Sequence, residues 1–454
     1  MLKKTDAVLF TPGLPVRRMV PRLIPIVLLL SLMTTCQEPE KPEPYPDSDL
    51  VLEKLDVSCT EAWLRLVLTQ TDSGATDSIP IILTRDGEAI QPFAFTPPET
   101  LVMDAGLYPS HSYQYQVQRQ SVHDNKIIDS SNTLTVTTLD TTSHDFTWTI
   151  DTLGNYGSYL NDVAMIDEDN IWAVGMIETD SGSYNAAHWE GEEWGLVRIA
   201  PPPFLFAPLT SIYALSGTDV WVAGTAPMEF DGEIWNAKPT YPTSGWINAI
   251  WGSSPEDVWF VGNGGSIVHY DGSGFVAINN LTDLDLVSIT GSGSNNVWVS
   301  GNNLTTGGIN QILLHFDGQN WEQVLYNTVT NIRVPNYISG FIAGVYIESP
   351  FNILLYTHLG FYRASVSTRG EAEFLWNTSN DGTAIEVLIG NDRNDLFAAG
   401  SHARIWHFNG NNFRGYPAIP DVGTINGGAI NRNYAVFVGS TYSDYHSFVI
   451  KGYR

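Results

Sequence analysis

Four histidines of this sequence occupy one repeated position, and imidazole is a common ligand for zinc and other transition metals. His188, His269, His315 and His407 each stand two residues before a glycine-containing turn. Four such side chains would form a strong metal site if they converged on one point. Whether they converge depends on the elements that carry them.

Few other residues have the types and spacing for chemistry. Asp180, Asp283 and Asp285 could contact calcium, although acids in loops are ordinarily just solvated. The sequence has no G-x-S-x-G, HExxH, Walker or G-x-G-x-x-G motif. The tripeptide that begins at Arg333 resembles the Arg-Ile-Pro signature of sialidases. That signature stands at the start of the sialidase catalytic domain, whereas this tripeptide lies in the middle of the repeats that make up residues 146–454. We therefore expect no cofactor, with calcium as the open alternative, and binding rather than catalysis.

The composition is that of a globular, acidic protein. Of 454 residues, 43% are hydrophobic and 16% charged, and the formal net charge is −27. Such a charge would repel phosphates, so we expect no nucleic-acid partner. Cys36 and Cys59 lie in unrelated segments, which predicts neither a disulfide nor a cysteine metal site.

The amino terminus predicts export and lipidation. Basic residues precede an uncharged apolar stretch, 23–33, which is shorter than the about 20 residues that a spanning helix needs. Thr34-Thr35-Cys36 follows and resembles the bacterial lipoprotein signal. The resemblance implies that residues 1–35 are a signal peptide and that Cys36 is acylated, which anchors the protein to a membrane. Translation could start at Met1 or at Met19.

Residues 36–48 are rich in proline and acidic residues and predict an extended stalk. Acidic residues just after the cysteine resemble surface-export signals of lipoproteins of the Bacteroidetes type. The resemblance implies a location in the outer membrane or at the cell surface of a Gram-negative bacterium.

Residues 49–140 show short alternating strands, with a hairpin signal at Asp86-Gly87. The stretch from Leu107 to Val117 resembles the L-x-P-x-x-x-Y-x-V-x-V motif of fibronectin type III domains. The resemblance implies a β-sandwich in which Tyr113 hydrogen-bonds to backbone near the leucine. A spacer role is expected for such a domain.

Residues 146–454 form a repeat. Clear copies of its second apolar run are NIWAVG (170–175), DVWVAG (219–224), DVWFVG (257–262) and NVWVSG (296–301), and weaker copies begin at 352, 395 and 434. One apolar run precedes each copy and another follows it. A fourth run opens on an aromatic residue at Trp194, Trp235, Phe275, Trp321, Trp376 and Phe413. Four strands in about 44 residues predict the blade of a β-propeller.

The array has seven copies of the first three runs but six of the fourth. Residues 146–153, with Trp148 in the repeat position, supply the missing strand, so we expect them to pair with the last three strands and close a seven-bladed ring. The predicted fold is all-β: a fibronectin type III-like sandwich, then a seven-bladed β-propeller closed by an N-terminal strand. The turn and tryptophan at 315–321 resemble the Asp-box (BNR) repeats of sialidase-like propellers, in which the box is a folding element.

The ring argues against a metal site at the four histidines. Their strand is third from the axis, two strand spacings or roughly 10 Å out, and blades diverge from the axis. The side chains should therefore not converge, and we expect a structural role for them.

Loops of a four-stranded blade alternate between two faces. The second-to-third loops and the links between blades share one face and vary in length, and this variable face is our candidate binding surface because it holds aromatic and amide side chains. The candidate ligand-binding residues are Tyr184, Phe204, Phe206, Asn331, Arg333 and Tyr337.

The sequence therefore predicts a surface-anchored, non-enzymatic binding or scaffold protein with a protein or carbohydrate ligand. Two alternatives stay open. One is a carbohydrate-active hydrolase or lyase with its site at the propeller axis, which a pair of carboxylates about 5–10 Å apart at the channel mouth would favour. The other is an assembly factor, because the repeat also resembles photosystem assembly propellers.

Overall fold

A computed structural model describes residues 49–68, 79–95, 98–120, 126–305, 308–329, 340–349, 352–365, 372–377, 384–416, 423–442 and 445–454. The chain divides into two compact units, Met1–Thr141 and Thr142–Arg454. Within the described residues, no helix is long and apolar enough to span a membrane. The predicted all-β fold class is confirmed.

The first unit is a β-sandwich of two antiparallel sheets. Its strands are β1 (Leu50–Val57), β2 (Glu61–Leu68), β3 (Ile79–Arg85), β4 (Glu88–Phe95), β5 (Glu99–Ala105), β6 (Ser112–Gln120), β7 (Ile127–Ser130) and β8 (Leu134–Thr137). One sheet has the order β1-β2-β5 and the other β4-β3-β6-β7, with β8 pairing β6. Alternate residues of both sheets, such as Leu64 and Val117, share one buried core.

Local contacts in the sandwich follow its sequence signals. Asp86 and Gly87 form the β3–β4 turn with positive φ, as a two-residue hairpin requires. The Tyr108 N–H donates to the Tyr113 hydroxyl at 2.8 Å, which is the bond expected from the tyrosine motif. Cys59 is buried, as a small apolar residue would be.

The second unit contains seven four-stranded antiparallel sheets among its described residues. The strands of the first three are β10 (Tyr159–Asp167), β11 (Asn170–Thr179), β12 (Gly182–Trp189), β13 (Trp194–Val197); β14 (Ser211–Ser216), β15 (Asp219–Ala223), β16 (Pro227–Phe230), β17 (Trp235–Ala237); β18 (Ile247–Ser254), β19 (Asp257–Gly262), β20 (Ile267–Tyr270) and β21 (Phe275–Ile278). A 3₁₀ turn, Asn263–Gly265, follows β19.

The strands of the fourth to sixth sheets are β22 (Asp285–Gly293), β23 (Asn296–Thr305), β24 (Gly308–Phe316), β25 (Trp321–Val329); β26 (Ile342–Ile347), β27 (Asn352–Thr357), β28 (Gly360–Ser365), β29 (Ala372–Asn377); β30 (Ile385–Asp392), β31 (Asp395–Gly400), β32 (Ile405–Phe408) and β33 (Phe413–Tyr416). The seventh sheet joins β34 (Gly423–Asn431), β35 (Tyr434–Thr441) and β36 (Ser447–Tyr453) to β9 (Thr147–Leu153).

These sheets are the blades of a propeller, and we number them 1 to 7 in chain order. The first strand of each blade contacts the first strand of the next, and β34 of blade 7 contacts β10 of blade 1. The first strands therefore surround the axis, and the predicted ring of seven is confirmed. Buried clusters lie between blades, as expected for sheets that are apolar on both faces.

Strand β9 closes the ring. It pairs with β36 over its whole length, from Thr147 opposite Tyr453 to Leu153 opposite Ser447. Phe146 and Trp148 pack against Phe397 of the preceding blade, with ring centroids 5.0 and 6.0 Å apart. The closure predicted from the position of Trp148 is confirmed.

The blades agree with the sequence prediction in their glycine turns and differ from it in the fourth strand of blade 5. The glycine turns before the fourth strands have the predicted positive φ, for example 83° at Gly272 and 92° at Gly318. In blade 5 the fourth strand begins at Ala372, so the prediction that Trp376 opens it was wrong. Trp376 instead pairs with Phe361 near the end of that strand.

Candidate functional site

The variable-face end of each first strand carries a β-bulge, in which two residues oppose one on the neighbouring strand. The register skips one residue in six blades: Asn161, Asn248, Val287, Ala343, Glu386 and Asn426. In blade 2, Thr210 donates its N–H to Ala223, the residue that pairs with Ser211, and so occupies the same place. These seven residues are called the bulge residues here. A bulge turns side chains out of the ladder, and here it turns them toward the next blade.

Four bulge residues bridge neighbouring blades. Each donates its side-chain hydrogen to the carbonyl just before the next bulge: Asn161 to Leu209 at 2.7 Å, Thr210 to Ile247, Asn248 to Leu286 at 2.8 Å and Asn426 to Leu160 at 2.8 Å. These bonds satisfy carbonyls that the bulges leave out of the sheet ladder. They connect blades 7, 1, 2, 3 and 4.

The other bulge residues cannot donate in this way. Val287 and Ala343 have apolar side chains, and Glu386 as a carboxylate only accepts hydrogen bonds. At the seam between blades 4 and 5, Asn302 of β23 takes over and donates to Ile342 at 3.1 Å. The seams of blade 6 with blades 5 and 7 therefore have no bridge from a bulge residue.

A cavity of about 380 Å³ lies at these seams, at the mouth of the channel on the variable face. Its lining residues are Val287, Asn302, Phe341, Ile342, Ala343, His358, Glu386 and Asn426. The bulge residues of four consecutive blades, 4 to 7, thus line one cavity. Its size is within the range of about 300–1,000 Å³ for ligand pockets.

The polar centre of the cavity is the pair Glu386 and His358. The His358 Nε2 atom lies 3.1 Å from Glu386 Oε2, and both side chains are about one third exposed. His358 belongs to the loop between β27 and β28, and its ring packs 5.3 Å from that of Phe341. The cavity therefore combines one carboxylate with an aromatic wall.

Tyr356 of β27 is buried and lies opposite Gly344 of β26. Burial is the main cause that raises its pKa to about 12, and the carboxylates of Glu386 and Asp162 add to the effect. Gly344 of β26 makes the arrangement possible, because a side chain there would overlap the Tyr356 ring. Burial also raises the pKa of Asp162 to about 6, against hydrogen bonds from Ile212, Val163 and Ser211.

Of the six candidate residues named from sequence, three lie in described segments. Tyr184 in β12 and Phe204 in the link from blade 1 to blade 2 are half-buried against the cores between blades. Phe206 in the same link lies under the Arg198 guanidinium at 3.9 Å, and Arg198 also donates to Ser183. Tyr184 and Phe204 thus pack on opposite sides of blade 1, and none of the three residues lines the cavity.

A buried amide holds this link in place. The Asn185 side chain donates to the Ile199 and Ala207 carbonyls and accepts from the Ile199 N–H, each at 2.8 Å. At the tip of the link, Leu205 is 89% exposed.

Asn331, Arg333 and Tyr337 lie outside the described residues, as does Cys36. In the chain, the three candidates stand just before Phe341 of the cavity wall.

Three exposed tyrosines occupy the same face around blade 7. Tyr156 is 70% exposed and its ring lies 5.9 Å from that of Tyr445. Tyr442 is held by a hydrogen bond from Thr424 at 2.8 Å. Tyrosine offers a rigid contact area with a polar tip, as in antibody paratopes.

The four repeated histidines are each bound within their own blade. Their Nε2 atoms lie 2.7–2.9 Å from Asn170, Asp257, Asn296 and Asp395, the first residue of each second strand. Each ring stacks on the aromatic residue of that strand: Trp172, Trp259, Trp298 and Phe397. Burial is the main cause that lowers the pKa of His188 and His315. This is a repeated packing unit, in which each imidazole bonds to its own blade through Nε2; the His407 Nδ1 atom also lies 2.7 Å from His144 Nδ1.

The acids considered for calcium accept protein hydrogen bonds. Asp180 accepts from Asn155 at 2.9 Å, and Asp285 accepts from the Gly264 N–H at 2.8 Å. Asp283 is exposed. Among the residues that the structure describes, no three His, Cys, Asp or Glu side chains are grouped as a metal site would require.

No protein-family model matches this chain, and no curated protein matches it. Among solved structures, YCF48 bound to D1 peptide is similar with a TM-score of 0.50 and 14% identity, over 69% of this chain and 100% of that one. The WD40 β-propeller domain of Doa1 has a TM-score of 0.48 at 11% identity, over 66% and 95% of the two chains. The second unit is a β-propeller. At these identities the similarity is one of fold alone.

Sequence reasoning named the variable face as a candidate and missed the cavity. The predicted first runs began after the bulge residue in six blades and at Val287 in blade 4, so the bulge residues were not aligned. A usable signal was present, because a leucine or isoleucine followed by a polar residue recurs before the runs, as in Leu160-Asn161, Ile247-Asn248 and Ile425-Asn426. At the second position of this pattern, Val287 and Ala343 are apolar and Glu386 has a carboxylate in place of an amide.

Proposed function

We propose that this protein is a surface-anchored, non-enzymatic binding or scaffold protein that holds its ligand on the variable face of the propeller. The observation that carries the proposal is the cavity at the channel mouth, which forms where Val287, Ala343 and Glu386 replace bridging bulge residues. In blades 7, 1, 2 and 3 the bulge residues bond to the next blade. In blades 4, 5 and 6 they line the cavity instead.

The surroundings of the cavity support a binding role. The variable face also presents exposed Tyr156 and Tyr445, and the link that carries Phe204 and Phe206. β-Propellers commonly serve as protein-binding scaffolds, and the similar YCF48 structure contains a D1 peptide. The proposed ligand is a protein or a carbohydrate at a bacterial surface.

The amino-terminal segments support the proposed location. A signal peptide over residues 1–35, a lipid on Cys36 and a stalk over 36–48 would attach the protein to the outer membrane. The sandwich, which resembles a fibronectin type III domain at its tyrosine motif, would act as a spacer. Labelling of cells with a radioactive fatty acid, lost in Cys36→Ser, tests the anchor.

The alternative of a carbohydrate-active enzyme at the axis calls for two carboxylates at the mouth. Among the described residues that line the cavity, Glu386 is the acidic one, and it is paired with His358. This geometry favours binding. Hydrolysis or elimination of a glycan by the purified protein would instead support the enzyme.

A binding screen tests the proposed function. Purified full-length protein is applied to a glycan array and to a peptide array, and surface proteins are captured from candidate partner cells. Hits are repeated with Phe341→Ala and with a triple alanine variant at Asn331, Arg333 and Tyr337. Val276→Ala in β21, an exposed fourth-strand position, is the matched control.

Loss of binding in the variable-face variants, with the control unchanged, is the expected result. Ligands that bind all variants equally would place the binding site elsewhere. No binding to glycan, peptide or protein would overturn the proposal.

A further inference from the structure

The polar side chains that line the cavity differ in their remaining capacity to bond a ligand. Asn302 and Asn426 at its rim each donate one amide hydrogen to a carbonyl of the ring, those of Ile342 and Leu160. The remaining ionisable acceptor is the Glu386 carboxylate, which is one third exposed and bonded to His358 through Oε2. A carboxylate can accept about four hydrogen bonds, so Glu386 has capacity for a ligand.

An arginine side chain fits this arrangement. Guanidinium has five N–H donors and no acceptor, and its planar fork matches a carboxylate. Its flat face also stacks on aromatic rings, and Phe341 forms a wall of the cavity. The apolar stem of arginine would contact Val287 and Ala343.

The charge and the surface around the cavity favour a polypeptide as carrier of that side chain. The net charge of −27 attracts cationic partners over long range. The exposed tyrosines on the same face suit contacts with main chain and side chains. A neutral glycan could donate hydroxyl groups to the carboxylate but would bring no positive charge to it.

We propose that the channel-mouth cavity seats an arginine side chain of a polypeptide partner, with Glu386 as its counter-ion and Phe341 as its apolar wall. This inference rests on the proposed binding function and specifies the class of partner. It assigns to Glu386 a role that the bridging asparagines of other blades do not have.

A library of random twelve-residue peptides tests the inference. Full-length protein should enrich arginine-containing sequences, and their affinity should fall at least about tenfold in Glu386→Gln, because a charge-assisted hydrogen bond is lost. Glu386→Lys should select acidic peptides instead. Glu233→Gln, the same charge change at an exposed turn on the opposite face, should leave affinity unchanged.

A competition experiment on the wild-type protein does not depend on any variant folding. Arginine methyl ester in excess should displace an enriched peptide, whereas glycine methyl ester at the same ionic strength should not.

Peptides that bind without enrichment of arginine, or that bind Glu386→Gln as tightly, would overturn the arginine site and leave the proposed binding function in place. Ligands found only among neutral glycans would do the same. If neither peptides nor glycans bind, the proposed function fails together with this inference.

Discussion

At the bulge positions, a single side chain decides whether a seam is bridged or open. Asn161, Asn248 and Asn426 donate across their seams, whereas Glu386 at the same position has no hydrogen to give. An asparagine at position 386 would bridge the seam and stabilise the ring, whereas the glutamate leaves a carboxylate for a ligand.

Glu386→Asn is expected to stabilise the propeller. The new amide matches the bridging blades and can donate to the Ile425 carbonyl, a gain of about 0.5–1.5 kcal/mol in the free energy of unfolding. Denaturant unfolding followed by tryptophan fluorescence measures it. Val287→Asn is the control, because Asn302 already serves the Ile342 carbonyl at that seam and no such gain is expected. An equal gain in both variants would contradict the bridging role.

Gly344 is expected to tolerate no side chain. A Cβ atom there would lie 2.5 and 2.6 Å from the Tyr356 atoms Cζ and Cε1. Gly344→Ala should therefore lower the free energy of unfolding by about 1–3 kcal/mol, as overpacking does. Gly293→Ala on the first strand of blade 4 meets no atom closer than 3.7 Å and should change it little. Similar behaviour of both variants in thermal unfolding would refute the proposed role of Gly344.

At the scale of elements, the second and third strands of four blades share the unit of histidine, aromatic ring and Asp or Asn. Blades 2, 5 and 7 have Glu229, Arg363 and Lys451 in place of the histidine. These pair with Lys238, Glu348 and Asp151, respectively. The position thus needs a polar group that is satisfied locally, and several chemistries meet that need.

The histidine unit predicts a dependence of stability on pH. Burial lowers the pKa of His315 in the folded protein, while the unfolded chain keeps the ordinary value near 6.5. The unfolded state therefore binds more protons as pH falls through that value, and stability is lost toward pH 5.

His315→Gln, which cannot become charged, should show a smaller fall in the thermal midpoint between pH 7.5 and pH 5. His402→Asn is the control, since this histidine is exposed and asparagine accepts its φ of 59°. If the thermal midpoint of His315→Gln falls as much as that of the wild type, His315 does not contribute to the loss of stability at low pH.

Periodicity was sufficient to predict the blades, because each strand is apolar enough to be recognised and each turn carries glycine. Trp376 misled the assignment in blade 5, where the aromatic lies near the end of its strand opposite Phe361 instead of at the start.

The cavity was not predictable from periodicity in the same way. It depends on bulges that add one residue, marked in the sequence only by a leucine or isoleucine before it, and on hydrogen bonds between blades that form only in the closed ring. Tyr184 and Phe204 were found as aromatic residues in variable segments, but their packing against cores could not be read from composition.

At the scale of the whole molecule, the ring depends on β9 and its aromatic residues. Trp148 packs against Phe146, Tyr416 and Phe437, and Gly452 on β36 leaves space for its ring. A Cβ atom on Gly452 would lie 2.5 Å from the Trp148 atom Cε3.

A double-mutant cycle tests the closure. Trp148→Ala should cost about 3 kcal/mol in the free energy of unfolding, and Gly452→Ala about 1–3 kcal/mol through its overlap with Trp148. The double variant should be less destabilised than the sum, because alanine at 148 removes the overlap. Strict additivity, measured by denaturant unfolding, would mean that Trp148 does not occupy this seam in solution.

The closing pair of strands also sets a delay in biosynthesis. Leu153 and Ser447, which are bonded at closure, are 294 positions apart in the chain. A ribosome that adds about 5–20 residues per second needs roughly 15–60 s to make that stretch. For this time β9 has been synthesised without its partner, and its free edge could recruit a strand from another nascent copy. A cell that makes this protein must therefore keep β9 shielded, or hold the whole polypeptide unfolded, until the last blade has emerged.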